Sequence, residues 1–291
     1  MMKIGVSSYS FQQYISAGKM TQFDCIAKAK EIGFEAIEFT DLTPPEGTTQ
    51  EDFANQLKEE ADKQGIDIFN YAVGSNLIYD NEEEFEKIVS DVKAQVDIAK
   101  ILGVKLMRHD ATFDLKGEKS FDLALPKLVR CIREITEYAQ KLGIKTMIEN
   151  HGFICQDSDR VERLYNAVNH DNFGLLVDMG NFTCVDENPA LAVSRVGRYA
   201  FHLHAKDMLL KSFYEADKES GFFETRACNS LRGAVLGTGI VPVKQCIAIM
   251  QKHGYKGDIA LEFEGKEDCI YGITVGLENL KKYIKELGIN K

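Results

Sequence analysis

Four side chains able to bind a divalent cation stand near the ends of four successive apolar segments in this 291-residue chain. They are Glu149 in TMIEN, Asp178 in LLVDMGN, His204 in FHLHAKD and Glu262 in IALEFEG. Two glutamates, an aspartate and an imidazole gathered in a low-dielectric site repel one another unless a cation sits among them. The set is oxygen-rich, has one nitrogen and no thiolate, and so suits one divalent ion: Mn2+ first, with Mg2+, Co2+ or Zn2+ as alternatives. Such an ion polarises a substrate carbonyl and the hydroxyl beside it, acidifying the neighbouring C–H bond. Glu149 and Glu262 are then the groups to remove and return a proton.

Each residue also has a plainer reading. Glu149 is a carboxylate at a strand end, and Asp178 is a cap for the helix that follows. His204 shares its strand face with His202, and Glu262 shares its face with Glu264. Around them, His109 in KLMRHD, His151 just past Glu149, and Arg232 are candidate substrate contacts. Lys206 and Asp207 either orient His204, as ligand histidines usually require, or pair with each other. His170 and His253 read as surface residues.

The elements that must position these groups follow a repeat. Steps of 29 and 26 residues separate the first three, and 58 the last pair. One strand plus one helix takes about 25–35 residues, so each group falls at one strand end of a βα repeat. Eight β-rich segments are legible: Lys3–Ser8, Ala36–Thr40, Ile66–Val73, Lys105–His109, Lys145–Glu149, Phe173–Asp178, Tyr199–His204 and Asp258–Glu264. Amphipathic helical patterns lie between them, as in Glu83–Leu102, Phe121–Leu142 and Val243–Lys252. Gly33, Gly65, Gly103, Gly143 and Gly254 end helical runs just before strands, where a left-handed residue stops a helix.

Eight units in order, with no linker between halves, predict a single α/β domain over residues 1–291, a (β/α)8 TIM barrel. No glycine-rich dinucleotide or P-loop fingerprint follows the first strand. Within strands, residues i and i+2 share a face. Alternation turns Asp178, His202, His204, Glu262 and Glu264 toward the barrel interior near its C-terminal end, where barrel active sites lie. The stretch 208–241 exceeds ordinary loop length and holds Phe213, Tyr214, Phe222, Phe223, Arg226 and Arg232 before the run RGAVLGTG. It is expected to be a long insertion loop at the barrel mouth, after strand 7.

Bulk properties narrow the class. A net charge of −10 argues against nucleic acid as a partner, since phosphates demand a basic surface. No run approaches a membrane span, and the opening MMKIGVSSYSF is too short an apolar run for a signal peptide. Seven scattered cysteines without a CxxC pair read as reduced thiols. The chain reads as a soluble cytoplasmic protein, and the sequence leaves a homo-oligomer open.

The ordered set E…VDxxN…HxKD…LE on this pattern resembles the xylose-isomerase-like superfamily of sugar isomerases and epimerases. In its ketose 3-epimerases, two glutamates, an aspartate and a histidine bind one metal, and the glutamates are the acid/base pair. The resemblance places those roles on Glu149, Asp178, His204 and Glu262, and it is what prefers Glu262 to Glu264. The ENHG run at Glu149 and the RG…GTGIVP run resemble a branch that includes keto-glycoside epimerases. The chain departs at Asn181 and Leu210, where ketose 3-epimerases tend to carry histidine and arginine.

The resemblance implies a metal-dependent isomerase or epimerase of a keto-sugar or keto-glycoside, working through an enediolate. The same site could end in elimination, as a dehydratase or lyase on a keto-sugar or inosose. A three-zinc repair nuclease like endonuclease IV fits poorly, because it needs more histidines than the six present. A non-catalytic carbohydrate-binding or accessory subunit is the remaining reading.

Overall fold

A computed structural model describes residues 2–213 and 220–289. Eight parallel strands close into a barrel: β1 (Ile4–Ser7), β2 (Ala36–Thr40), β3 (Asp67–Val73), β4 (Leu106–His109), β5 (Lys145–Glu149), β6 (Phe173–Asp178), β7 (Ala200–Ala205) and, last in the chain, β11 (Ile259–Leu261). The order around the barrel is β1-β11-β7-β6-β5-β4-β3-β2. The expected single (β/α)8 barrel is what forms.

Helices wrap the outside because their apolar stripes have only the barrel to cover them. They include α2 (Asp24–Ile32), α3 (Gln50–Gln64), α4 (Glu82–Leu102), α5 (Phe121–Lys141), α6 (Ser158–Val168), α7 (Pro189–Val196), α8 (Val243–Lys252) and α9 (Cys269–Glu286). Side-chain caps start many of them: Thr49, Asn81, Ser120, Asp157, Asn188 and Asp268 each accept from a backbone N–H three residues on. Such caps satisfy donors that a helix start leaves unpaired. Gly33, Gly65 and Gly103 occupy the left-handed C-caps of α2, α3 and α4. After α5 and α8 the left-handed glycine, Gly143 or Gly254, stands one residue beyond the cap.

Two expectations need correction. The last strand is shorter than Asp258–Glu264, because the chain leaves the sheet after Leu261. Glu262 N–H still donates to the Ala205 carbonyl (3.1 Å), whereas Phe263 N–H turns to the Ser10 hydroxyl (2.9 Å). The stretch 208–241 is also no simple loop. It contributes to a three-stranded antiparallel sheet of β8 (Asp207–Lys211), β10 (Ser230–Ala234) and β9 (Phe223–Glu224). Gly233 in β10 bridges to Gly265, and any Cβ there would strike the Glu264 backbone at 2.4 Å.

The far end of this insertion is tied to the loop after β6. Asp186 accepts from Thr225, Ala227 and Asn229. Its near end is held by Asp207, whose carboxylate accepts from the backbone N–H groups of Met208, Gly237, Gly239 and Val241 at 2.8–3.0 Å. Tyr214 lies outside the described residues. Among those described, no helix is long and apolar enough to cross a membrane.

Asp207 is buried, so its loss would leave four donors without an acceptor. Asp207→Ala should destabilise the protein by on the order of 3 kcal/mol, read from urea unfolding midpoints. An unchanged midpoint would show that water replaces the carboxylate.

Candidate metal centre

Strand register decides which side chains meet. Asp178 pairs with His204, Leu176 with His202, Glu149 with Leu176, and Arg108 with Met147. Because faces alternate along each strand, Arg108, Glu149, Asp178, His202 and His204 all point inward. His204 pairs with Ala260, so Glu262, two residues further, shares that face. Glu38 enters from β2 on the opposite wall.

One donor atom from each of Glu149, Asp178, His204 and Glu262 lies within 4.8 Å of the other three. His204 Nδ1 is 3.7 Å from Glu149 Oε1, 3.6 Å from Asp178 Oδ2 and 3.5 Å from Glu262 Oε2. Ligands each about 2.0–2.2 Å from one ion stand up to about 4.4 Å apart, so the spacing fits. Asp178 Oδ1 is taken by the N–H groups of Gly180 and Asn181, both at 2.7 Å. Its Oδ2 and His204 Nδ1 are buried without a hydrogen-bond partner. Buried polar atoms are nearly always bonded; two orphans facing each other beside two carboxylates fit a divalent cation.

Support for these donors comes from every side. Asn150 clips β5 to β6, its amide donating to the Asp178 carbonyl and accepting from the Asp178 N–H, both at 2.9 Å. Glu38 Oε1 is 2.8 Å from His204 Nε2, which leaves Nδ1 to face the donor cluster. Carboxylates behind ligand histidines commonly fix the ring in this way. Arg108 donates to Glu149 Oε2 (2.8 Å), and Asn181 donates to Glu149 Oε1 (2.9 Å). Lys206 Nζ lies 2.9 Å from Glu262 and 2.8 Å from Glu264.

These surroundings push the two glutamates apart. Burial raises the Glu149 carboxyl above its ordinary value, with Arg108 only partly offsetting it. Burial acts on Glu262 too, but the Lys206 ammonium and then His204 hold it far below the usual carboxylate range. Burial likewise opposes a charge on His204, yet Glu38 and then Glu262 raise its pKa well above normal.

A cleft of about 500 Å³ opens above the donors at the C-terminal end of the barrel, reaching Glu149, Glu262, Arg108 and Lys206. Other hollows, one beside Lys145, Arg198 and Lys256 and one between α4 and α5, are lined by none of the four. His151 lines the cleft, with Nδ1 2.9 Å from Asp110 Oδ1. His109 does not: it points out of the barrel, fully buried, its Nδ1 against the Asp110 carbonyl. The residue before it, Arg108, is the one that faces the site. Arg232 is also absent from the cleft lining and binds the Ser220 carbonyl and Glu267 instead.

Lys206 and Asp207 form no hydrogen bond or ion pair with the His204 ring or with each other among the described residues; Lys206 serves the carboxylates and Asp207 the insertion. Asn181 lines the cleft, whereas Leu210 lies half-exposed in β8, and no described residue of 208–241 lines the cleft. The sequence reading missed Glu38, Arg108, Asp110 and Asn150. Alternation in AIEFT offers a signal for Glu38, as an acid among buried apolar neighbours.

The chain belongs to the xylose isomerase-like TIM barrel family, whose model matches residues 26–289. It is similar to an inosose dehydratase of Bacillus licheniformis, 24% identical over 236 residues and 78% of each chain. It is also similar to one of Glaesserella parasuis, 26% identical over 278 residues, 90% of this chain and 89% of that one. Among solved structures, the IolI protein with a bound zinc atom superposes with a TM-score of 0.76 at 16% identity, covering 98% of this chain and 99% of that one. An L-ribulose 3-epimerase superposes with a TM-score of 0.74 at 14% identity, covering 99% and 96%.

Purified, metal-depleted protein should take up about one divalent ion per chain, with Asp178→Ala weakening affinity at least about 100-fold, read by equilibrium dialysis and metal analysis. Three tightly bound ions would contradict a mononuclear centre. Uptake also displaces the His204 proton, since a ligand imidazole is neutral. Because the His204 pKa is raised, affinity should climb as pH rises and protons should be released on binding. A pH-indicator titration showing no release would exclude His204 Nδ1 as a donor.

Proposed function

We propose that the protein is a divalent-metal-dependent enzyme that epimerises or isomerises a keto-sugar or keto-glycoside by moving the proton next to the carbonyl. The observation that carries this reading is the meeting of Glu149, Asp178, His204 and Glu262 at the floor of a cleft, with orphaned donor atoms facing one another. A bound ion, with Mn2+ the best match to an oxygen-rich set, would acidify the C–H bond beside a chelated carbonyl. Asp178 and His204 serve mainly to hold it.

The glutamates come from β5 and from the end of β11, flanking the β6 and β7 donors from two sides. Glu262, kept ionised by Lys206, is equipped to take the proton. Glu149 reaches the same cleft from the other side and is placed to return one, at the same carbon for an epimerase or the adjacent one for an isomerase. Arg108 and Asn181 fix the Glu149 carboxyl so that delivery is directional.

A second reading, elimination of water, is favoured by His151. Asp110 and then Glu149 raise its pKa against the effect of burial, and it stands in the cleft able to protonate a departing hydroxyl. In that case Glu262 removes the α-proton, the C–O bond to the β-hydroxyl breaks, and water leaves with the His151 proton. The similarity to proteins named inosose dehydratase supports this branch.

Incubating metal-loaded protein in D2O with ketoses, 3-keto-glycosides and inososes tests both. Deuterium should appear at the carbon beside the carbonyl, with an epimer or isomer in the first reading and a dehydrated product in the second. Glu262→Gln should lower exchange by at least about 1000-fold, the scale on which removal of a general base acts. Retained exchange in that variant would remove Glu262 from the chemistry.

A further inference from the structure

We infer that the insertion acts on the proton-transfer site as a strap, with Arg226 and Gln156 as positioning residues that hold Asn181 against Glu149; this rests on the proton-transfer reading above. No described residue of 208–241 lines the cleft, so the insertion reaches the chemistry through loops that do. Arg226 stands in the turn between β9 and β10 and joins two of those loops. Its backbone N–H donates to the Cys184 carbonyl at 2.9 Å. Cys184 belongs to the same short 3-10 turn after β6 as Asn181. The Arg226 guanidinium reaches the loop after β5, where it donates to the Asp157 carboxylate (2.9 Å) and to the Phe153 carbonyl. Asp157 caps α6, so the grip is on a fixed helix start. Asp186 holds the turn itself through Thr225, Ala227 and Asn229.

From Phe153 the bonds run inward to the site. Phe153 N–H donates to Gln156 Oε1, Gln156 Nε2 donates to the Asn181 carbonyl (2.7 Å), and the Asn181 amide donates to Glu149 Oε1 (2.9 Å). Asn181 also gives its own N–H to Asp178 Oδ1 at 2.7 Å. Its position therefore fixes one proposed proton carrier and one proposed metal donor together. Gln156 and Asn181 are 1% and 3% exposed, so water does not compete for these bonds. Buried networks of this kind rigidify the segments they join.

The backbone at the middle of this path supplies an independent observation. Phe153 has a φ of 66°, in the left-handed region that a bulky residue rarely adopts. Such a conformation persists only where its surroundings over-determine it. Here the Arg226 guanidinium holds the Phe153 carbonyl and Gln156 holds its N–H. The same turn carries His151, two residues earlier, into the cleft. Arg226 thus holds a strained turn in place rather than decorating a relaxed one.

The test follows deuterium exchange by the full chain at saturating metal, with D-fructose, a methyl 3-keto-hexopyranoside and scyllo-inosose as probes. Arg226→Ala and Gln156→Met should each lower kcat about tenfold, within the range that small misplacements of catalytic groups produce, with KM changed less than about twofold. Arg226→Lys, which keeps the charge beside Asp157, should recover part of the loss. The losses should not add: in an Asn181→Ala background, Arg226→Ala should lower kcat by less than about twofold, because members of one hydrogen-bond chain are coupled. Backbone hydrogen exchange should also speed up in peptides covering 150–157 and 178–187 of Arg226→Ala, and stay unchanged in α5. An unchanged kcat, the same loss with and without Asn181, or loosening spread over the whole barrel overturns this inference and leaves the proton-transfer reading standing. Exchange of none of the three probes by the unaltered protein removes the proton-transfer reading and this inference with it.

Discussion

Burying many carboxylates around one point is the constraint on which the rest of this structure depends. Glu38, Asp110, Glu149, Asp178 and Glu262 are all under a tenth exposed. An isolated buried carboxylate neutralises itself rather than stay charged, so each must have a partner suited to its task. Glu38 faces His202 and His204, Asp110 and Glu149 share Arg108, and Glu262 has Lys206. Asp178 relies on two N–H groups for one oxygen, and its other oxygen has no hydrogen-bond partner. The charge pattern therefore converges on the place where a cation completes it.

That constraint also explains why the two glutamates are not equivalent. Each has a shared cation beside it, Arg108 between Glu149 and Asp110 and Lys206 between Glu262 and Glu264, but burial outweighs Arg108 at Glu149 while Lys206 and then His204 outweigh burial at Glu262. The local result is one carboxyl leaning toward its neutral form and one held ionised. Such a split is what a proton relay across a substrate needs, because taking and giving are different tasks.

Much of this arrangement is legible in the sequence, and the limits are physical. The eight strands and their punctuation follow from period-two segments and helix-ending glycines; alternation inside FGLLVD, AFHLHA and IALEFEG turns Asp178, His204 and Glu262 inward, and the spacing of the repeat adds Glu149. What alternation within one strand cannot supply is the phase of a strand whose two faces look alike. KLMRHD offers Arg108 and His109 equally, and only the pairing of Arg108 with Met147 decides that the arginine faces in. Glu38 is hidden for a different reason, since its partner His204 lies 166 residues away on the opposite wall. Arg232 lies away from the cleft because the described part of the insertion is a small sheet with its own charge pairs. The Asn181 departure is intelligible only in three dimensions, where its amide reaches Glu149.

The segment HAKD concentrates the consequences. Alternation sends His204 inward to the ion site, Ala205 into the wall, Lys206 inward to Glu262, and Asp207 outward to the insertion. Four consecutive residues thus supply a metal donor, the cation that keeps the proposed base ionised, and the anchor of the glycine run. A shift of one residue in this register would exchange the two faces and undo all three tasks together. The Asp178–His204 pairing and the bond from Glu262 N–H to the Ala205 carbonyl resist that shift. Position of the insertion and chemistry of the site are therefore set by the same few backbone bonds at the end of β7.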